Sequence, residues 1–312
     1  MNKRDLVLSL LDKEKKQEVI PAAFFLHFDE IYHRGQAAID KHLEFFRYTD
    51  MDFVKIQYEN VFPIIPEIQK PADWENMPLY NKEFYEDQLN IVGGLIKEAQ
   101  KEALIIMTLY SPFMCAGHTS DLHVIEHLKE NPAKTKKGIE IITESLMIFV
   151  KECIKLGVDG FYHSTQGGES HTFNDSALFK EYIKPYDLIL MEEINRSCEF
   201  NILHVCDYHD GYDDLTPFLD YPGHIVNCSL KLGTEKLYAR QVSQMFGRPF
   251  MGGLDRLGTI FSGSRDEIKK AVDAQCSRKS SKFLLGADCT VPSEVDWDNL
   301  KTAIETAHGF EL

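Results

Sequence analysis

The residues best suited to chemistry in this chain are a histidine and a cysteine two positions apart, His204 and Cys206. They end the stretch Phe200-Asn201-Ile202-Leu203-His204-Val205-Cys206, which reads as a short buried strand. Side chains alternate faces along a strand, so Ile202, His204 and Cys206 share one face while Leu203 and Val205 take the other. Imidazole and thiolate are preferred zinc donors, and a third such residue, Cys289, stands at the end of another apolar run. Three protein donors and one open position is the pattern of a catalytic zinc rather than a structural one. An open position beside two thiolates suits a soft ligand such as a thiol, which the metal would ionise and hold as a nucleophile. Thiol alkylation is the reaction that follows. Each residue alone has a plainer reading: free cysteines are among the most buried residue types, and His204 with Cys206 could form a metal-free nucleophile pair.

The elements that must position these residues recur along the whole length. Eight apolar runs read as strands: 21–28, 53–58, 104–110, 158–163, 200–206, 224–228, 248–253 and 282–287. Between them the pattern predicts helices over 36–47, 83–102, 134–156 (stopped by Gly157), Phe173 to Ser197 with a break at Pro185, 233–245, and 297–309. Ser264 to Glu267 has the form of a capping box opening one more. Strands alternating with helices imply parallel pairing, and eight such units predict a (β/α)8 TIM barrel. No linker or low-complexity segment interrupts it, so residues 1–312 are expected to form a single domain.

Composition narrows the function classes. The 312 residues are 44% hydrophobic and 27% charged, with 49 acidic against 34 basic residues and a net charge of -15. Such an acidic chain is not expected to take nucleic acid or a membrane surface as its main partner, because both are held by clustered Lys and Arg. The N-terminus leads into an expected amphipathic helix that includes Asp12, Lys13 and Glu14, not a secretion signal, so a cytoplasmic location is expected. Seven irregularly spaced cysteines argue against a disulfide framework; Cys115, Cys153, Cys198, Cys228 and Cys276 read as ordinary buried thiols.

A barrel carries its active site at the C-terminal ends of its strands. The polar residues at those ends are His27, Asn60, Tyr110, His163, Asn227 and Asp255, beside His204, Cys206 and Cys289, and they are the candidate pocket residues by position. No acid, base or other catalytic residue is singled out by the pattern.

Several motifs carry a resemblance. Leu203-His204-Val205-Cys206, Gly252-Gly253-Leu254-Asp255, Gly286-Ala287-Asp288-Cys289-Thr290-Val291-Pro292 and the segment Phe179 to Tyr186 resemble segments of the uroporphyrinogen decarboxylase superfamily, a set of (β/α)8 barrels. The decarboxylase branch is metal-free and carries an arginine-rich segment after strand one; here that place reads Phe25-Leu26-His27-Phe28-Asp29-Glu30, and its strand-four motif is replaced by Tyr162-His163-Ser164-Thr165. The other branch, the zinc-dependent methylcobamide:thiol methyltransferases of the coenzyme M type, has the ligand pattern His-x-Cys with a distant Cys. His204, Cys206 and Cys289 match it residue by residue. The resemblance implies one zinc per chain, a small thiol substrate, and a methyl donor that is a corrinoid carried by a partner protein. Gln166 and Glu169, after strand four, are the nearest candidates for a further neighbour of the metal. Two other readings stay open: decarboxylation of a porphyrinogen or another carboxylate, and a non-catalytic barrel that bears zinc or binds a corrinoid protein.

Some look-alikes are weaker. Asp207-Tyr208-His209-Asp210-Gly211 is one residue short of a cobalamin-binding motif, and with Asp213 and Asp214 reads as a solvated acidic loop. Gly252-Gly253 and Gly286 could border a phosphate site, but ordinary turn chemistry accounts for them.

Overall fold

Seven of the eight apolar runs become parallel strands of one curved sheet in the computed structural model, which describes residues 2–173 and 176–312. In chain order the strands are β1 (Phe53–Ile56), β2 (Leu104–Tyr110), β3 (Gly160–Thr165), β4 (Ile202–Val205), β5 (Ile225–Cys228), a small antiparallel hairpin of β6 (Lys231–Leu232) and β7 (Glu235–Lys236), then β8 (Phe250–Leu254) and β9 (Phe283–Ala287). The sheet order is β1-β2-β3-β4-β5-β8-β9, every pair parallel, with helices between. This is a TIM-type barrel.

The first run departs from expectation. Residues 21–26 are extended and buried but form only one β-bridge, Ala22 with Leu285. On the β9 side the bonds are backbone: Ala23 N–H to Leu285 O at 3.0 Å and Leu285 N–H to Pro21 O at 2.9 Å. On the β1 side, side chains replace most of the ladder. The Asp52 carboxylate accepts the Ala22 N–H at 2.7 Å, and the Gln57 amide donates to Leu26 O at 2.6 Å. Pro21 offers no N–H, and the Ala22 N–H is taken by a side chain, so a regular ladder to β1 cannot start. The segment still stands between β9 and β1 and closes the ring. Gly286 helps: a Cβ there would lie 3.1 Å from the Ala23 carbonyl oxygen.

The helices follow their sequence signals. Pro132–Leu156 starts with Asn131 accepting the Lys134 N–H and Pro at its first position, and ends at Gly157 with φ of 92°. Its buried stripe, including Ile139, Ile142, Leu146, Phe149 and Cys153, recurs at helical spacing. The capping box of Ser264 and Glu267 forms as expected. The segment after Phe173 breaks at Ile183, before Pro185, into Ser176–Tyr182 and Lys184–Ser197; its residues Asn174 and Asp175 lie outside the described residues. Residues 231–236 are the hairpin rather than helix, because Gly233 turns the chain with φ of 55°, and the helix covers Ala239–Phe246. The N-terminal helix is Lys3–Leu8 and stops before Asp12. Two helices, Pro112–Thr119 and Val124–Glu130, were not anticipated, although Ser111-Pro112 is a legible start signal: the serine accepts the Met114 N–H. All seven cysteines are buried free thiols, and among the described residues no helix is long and apolar enough to cross a membrane.

The base of the barrel under the candidate site is tight. A Cβ at Gly160, the first residue of β3, would sit 1.6 Å from the Phe200 carbonyl oxygen just before β4. Gly160→Ala is therefore expected to prise β3 from β4 and lower stability by about 2 kcal/mol or more, read as a reduced urea midpoint.

Candidate metal centre

Alternation decides which side chains reach the barrel interior. On β3, Tyr162 and Ser164 face inward; His163 and Thr165 face the helices. Register then sets Tyr110 beside Ser164, Ser164 beside His204, and His204 beside Asn227, so the inward parity carries across four strands. Cys206 follows β4 and Cys289 follows β9, so the two arrive from positions separated by β5 and β8.

The donor atoms of His204, Cys206 and Cys289 all lie within 4.8 Å of one another. Among the described residues they are the one such group of three or more His, Cys, Asp or Glu. The two sulfurs are 3.9 Å apart. Exposure is 2% for His204, 3% for Cys206 and 7% for Cys289. Both ring nitrogens of His204 are buried with no hydrogen-bond partner. A buried imidazole with both nitrogens idle is costly unless something else uses one of them. The two thiols share a hydrogen bond. That bond and burial push Cys206 up, while the same bond, against the cost of burial and with His204 and Arg256 nearby, pulls Cys289 down. The donor set of one imidazole and two sulfurs fits zinc.

The triad lines a cavity of about 910 Å3 at the strand ends. His27, Tyr110 and Gln166 also line it. His27 Nδ1 lies 2.9 Å from Glu59 Oε1, and the Gln166 amide donates to the Cys206 sulfur at 3.4 Å. The other five candidates do not line it. Asn60 holds a loop, donating to Phe84 O at 2.9 Å. His163 is fully buried behind the sheet, 3.8 Å from Asp187. Glu169 accepts the Gly167 N–H at 2.7 Å and shapes its own loop; burial raises its carboxyl to about 7. Asp255 pairs with Lys231 at 2.6 Å. Asn227 lies in the floor, where its amide donates to Met251 O and Ala287 O, each at 3.0 Å, and accepts the Tyr162 hydroxyl at 2.6 Å. Gly252, Gly253 and Gly286 are outside the lining, and the first two need their left-handed φ of 139° and 111°. In the acidic loop Asp207 pairs with Arg256 and Asp210 with His171, each at 2.8 Å.

Lys55, Gln57, Thr108, Tyr162, Ser164 and Arg256 line the cavity and were not among the candidates. Lys55 carried the clearest signal, a lone charge inside the apolar run Phe53-Val54-Lys55-Ile56. Its buried amine sits 4.7 Å from the ring centroids of both Phe25 and Tyr162 and donates to Gln57 Oε1. Tyr162 also packs on the His204 ring, centroids 4.9 Å apart, so one aromatic ring separates the lysine from the triad.

Burial lowers Lys55 to about 7 from an ordinary 10.5. The folded chain therefore binds this proton more weakly than the unfolded chain. The penalty is complete below about pH 7 and is relieved as pH rises toward 10.5, by about 1.4 kcal/mol for each step of one in pH. Lys55→Met is expected to remove that rise, so the stability difference between variant and wild type is largest at pH 6 and shrinks by pH 9 in denaturant titrations.

Comparison with known proteins places the chain. It is 23% identical over 226 residues to the uroporphyrinogen decarboxylase of Aquifex aeolicus (strain VF5), covering 70% of this chain and 63% of the relative; the chain thus spans less than two thirds of that protein's length. A methyltransferase from Methanosarcina mazei superposes with a TM-score of 0.76 at 13% identity, covering 98% of each chain. A B12-independent methionine synthase from Shewanella sp. W3-18-1, solved with selenomethionine, gives a TM-score of 0.57 at 13% identity, covering 93% of this chain and 97% of that one. These two likenesses concern the fold. Residues 50–310 match the uroporphyrinogen decarboxylase (URO-D) family as a whole, and with the barrel and its strand-end cavity in place the chain belongs to that family.

Proposed function

We propose that the chain is a zinc-dependent methyltransferase acting on a small thiol, working as a single barrel domain in the cytoplasm. The observation that carries this reading is the buried meeting of one imidazole and two sulfurs within 4.8 Å, on the wall of an open cavity. His204, Cys206 and Cys289 would hold one zinc, whose Lewis acidity would keep an incoming thiol ionised at neutral pH. His204 would serve as a donor through one of its idle ring nitrogens. Cysteine binds a metal as thiolate, so loading Cys206 and Cys289 would release protons. Gln166 donates to the Cys206 sulfur and fixes its direction. Tyr162, anchored through Asn227, walls one side and excludes water from the reacting sulfur.

The cavity is larger than a small thiol requires, which leaves room for a second reactant. Val61, Ile64, Leu122, Tyr208 and Leu257 line it and are exposed apolar side chains at its mouth. Such a rim suits a docking protein that presents the methyl donor, and a corrinoid carrier is the partner that the family branch implies.

Decarboxylation is the second reading, favoured by the sequence match to the Aquifex enzyme. Against it, the lysines and arginines lining the cavity are Lys55 and Arg256, and Arg256 is already held by two aspartates. That leaves little cationic capacity for a polycarboxylate.

Two measurements test the proposal. Protein purified without chelator should carry about one zinc per chain by elemental analysis, with Cys206→Ser and Cys289→Ser each losing most of it; a zinc-free wild type sinks the reading. Cobalt-substituted protein titrated with small thiols should change its visible spectrum as sulfur binds. An unchanged spectrum would point to a closed, non-catalytic site, and chelator-insensitive turnover of a porphyrinogen would favour the decarboxylase.

A further inference from the structure

The two sulfurs meet although they leave the barrel from strands with two others between them, and one side chain spans that gap. Arg256 lies just beyond β8. Its Nη1 is 2.8 Å from Asp207 Oδ1 and 3.6 Å from Asp288 Oδ2, and Nη2 is 3.5 Å from the Asp207 carbonyl oxygen. Its backbone N–H donates to Asp288 Oδ1 at 2.8 Å. Asp207 immediately follows Cys206, and Asp288 immediately precedes Cys289. The guanidinium and both carboxylates are largely shielded from solvent, so water screens these bonds little.

We infer that Arg256 is the positioning residue that holds Cys206 and Cys289 at bridging distance, acting through the aspartate next to each. Its metal arm rests on the zinc reading, whereas the sulfur geometry it explains does not depend on a metal. A planar guanidinium fits the task because it can face two acceptors at once in a fixed arrangement, which an ammonium on a flexible stem cannot. Three contacts made by the guanidinium and one made by its own backbone fasten a single residue to both tips. Removing the cation would also leave two shielded carboxylates beside two sulfurs without the charge that contacts them both.

The test compares wild type, Arg256→Ala and Arg256→Lys, each first shown to be folded by circular dichroism. Zinc affinity, measured by competition with a chromogenic chelator, should fall about 10- to 100-fold in Arg256→Ala, the range for residues that orient metal ligands. Arg256→Lys keeps the charge but not the fork and should fall between; it carries the test if the alanine variant fails to fold. In the reduced, metal-free proteins, phenylarsine oxide bridges two sulfurs only when they are close, so its capture, followed by intact mass, should slow several-fold in the same order. Wild-type zinc affinity together with wild-type arsenical capture in the variants would overturn the assignment. If wild type captures the arsenical but takes no zinc, the zinc reading falls and the arsenical comparison alone decides the role of Arg256.

Discussion

Two sulfur atoms 83 residues apart in sequence lie 3.9 Å apart in the barrel, and much of the interior is arranged around that approach. Strand alternation aims His204 and Cys206 inward, and closure of the ring brings the tip beyond β9 round to meet them. The surrounding groups do different work. Gln166 and Arg256 reach the two thiol-bearing tips, while Asn227 and Tyr162 brace the floor against the His204 ring. A donor set of this kind is unstable in isolation, since an idle buried imidazole and two crowded sulfurs each oppose folding. The barrel must therefore impose the arrangement.

That arrangement was partly legible in the residues themselves. His204 and Cys206 could be placed on one face because a spacing of two in a strand admits no other answer. Seven of eight strands were legible because parallel barrel strands are buried on both faces and appear as short apolar runs. Residues 21–28 looked no different from the others; whether a run completes a ladder depends on partners such as Asp52 and Gln57, which lie elsewhere in the chain.

The pocket was harder to read, for a reason of parity. Reading the fourth strand as ending at His163 made that histidine a mouth residue, yet β3 continues to Thr165 and His163 faces the helices. Tyr162 and Ser164, its neighbours, hold the inward positions. Asn227 has the inward parity but sits too deep and is consumed by three hydrogen bonds. Asn60, Glu169 and Asp255 lie in loops, where strand alternation no longer applies and local hydrogen bonds decide direction. Lys55 shows the reverse: a charge in an apolar run is where the physical cost of burial marks the site.

The irregular seam at residues 21–26 gives the two halves of the triad unequal footing. His204 stands on β4, laddered on both sides by β3 and β5, and Cys206 follows it with its N–H on the Thr165 carbonyl at 3.0 Å. Cys289 stands beyond β9, which is laddered by β8 on one side and faces the seam on the other, and the tip itself is pinned back by the Val291 N–H to the Phe25 carbonyl at 2.8 Å. Regions with fewer backbone bonds open at lower free energy. The centre therefore joins a strand set in the middle of the ladder to a tip beside the irregular seam, a tip held by the Asp288 N–H on the Leu254 carbonyl at 2.9 Å as well as by Val291.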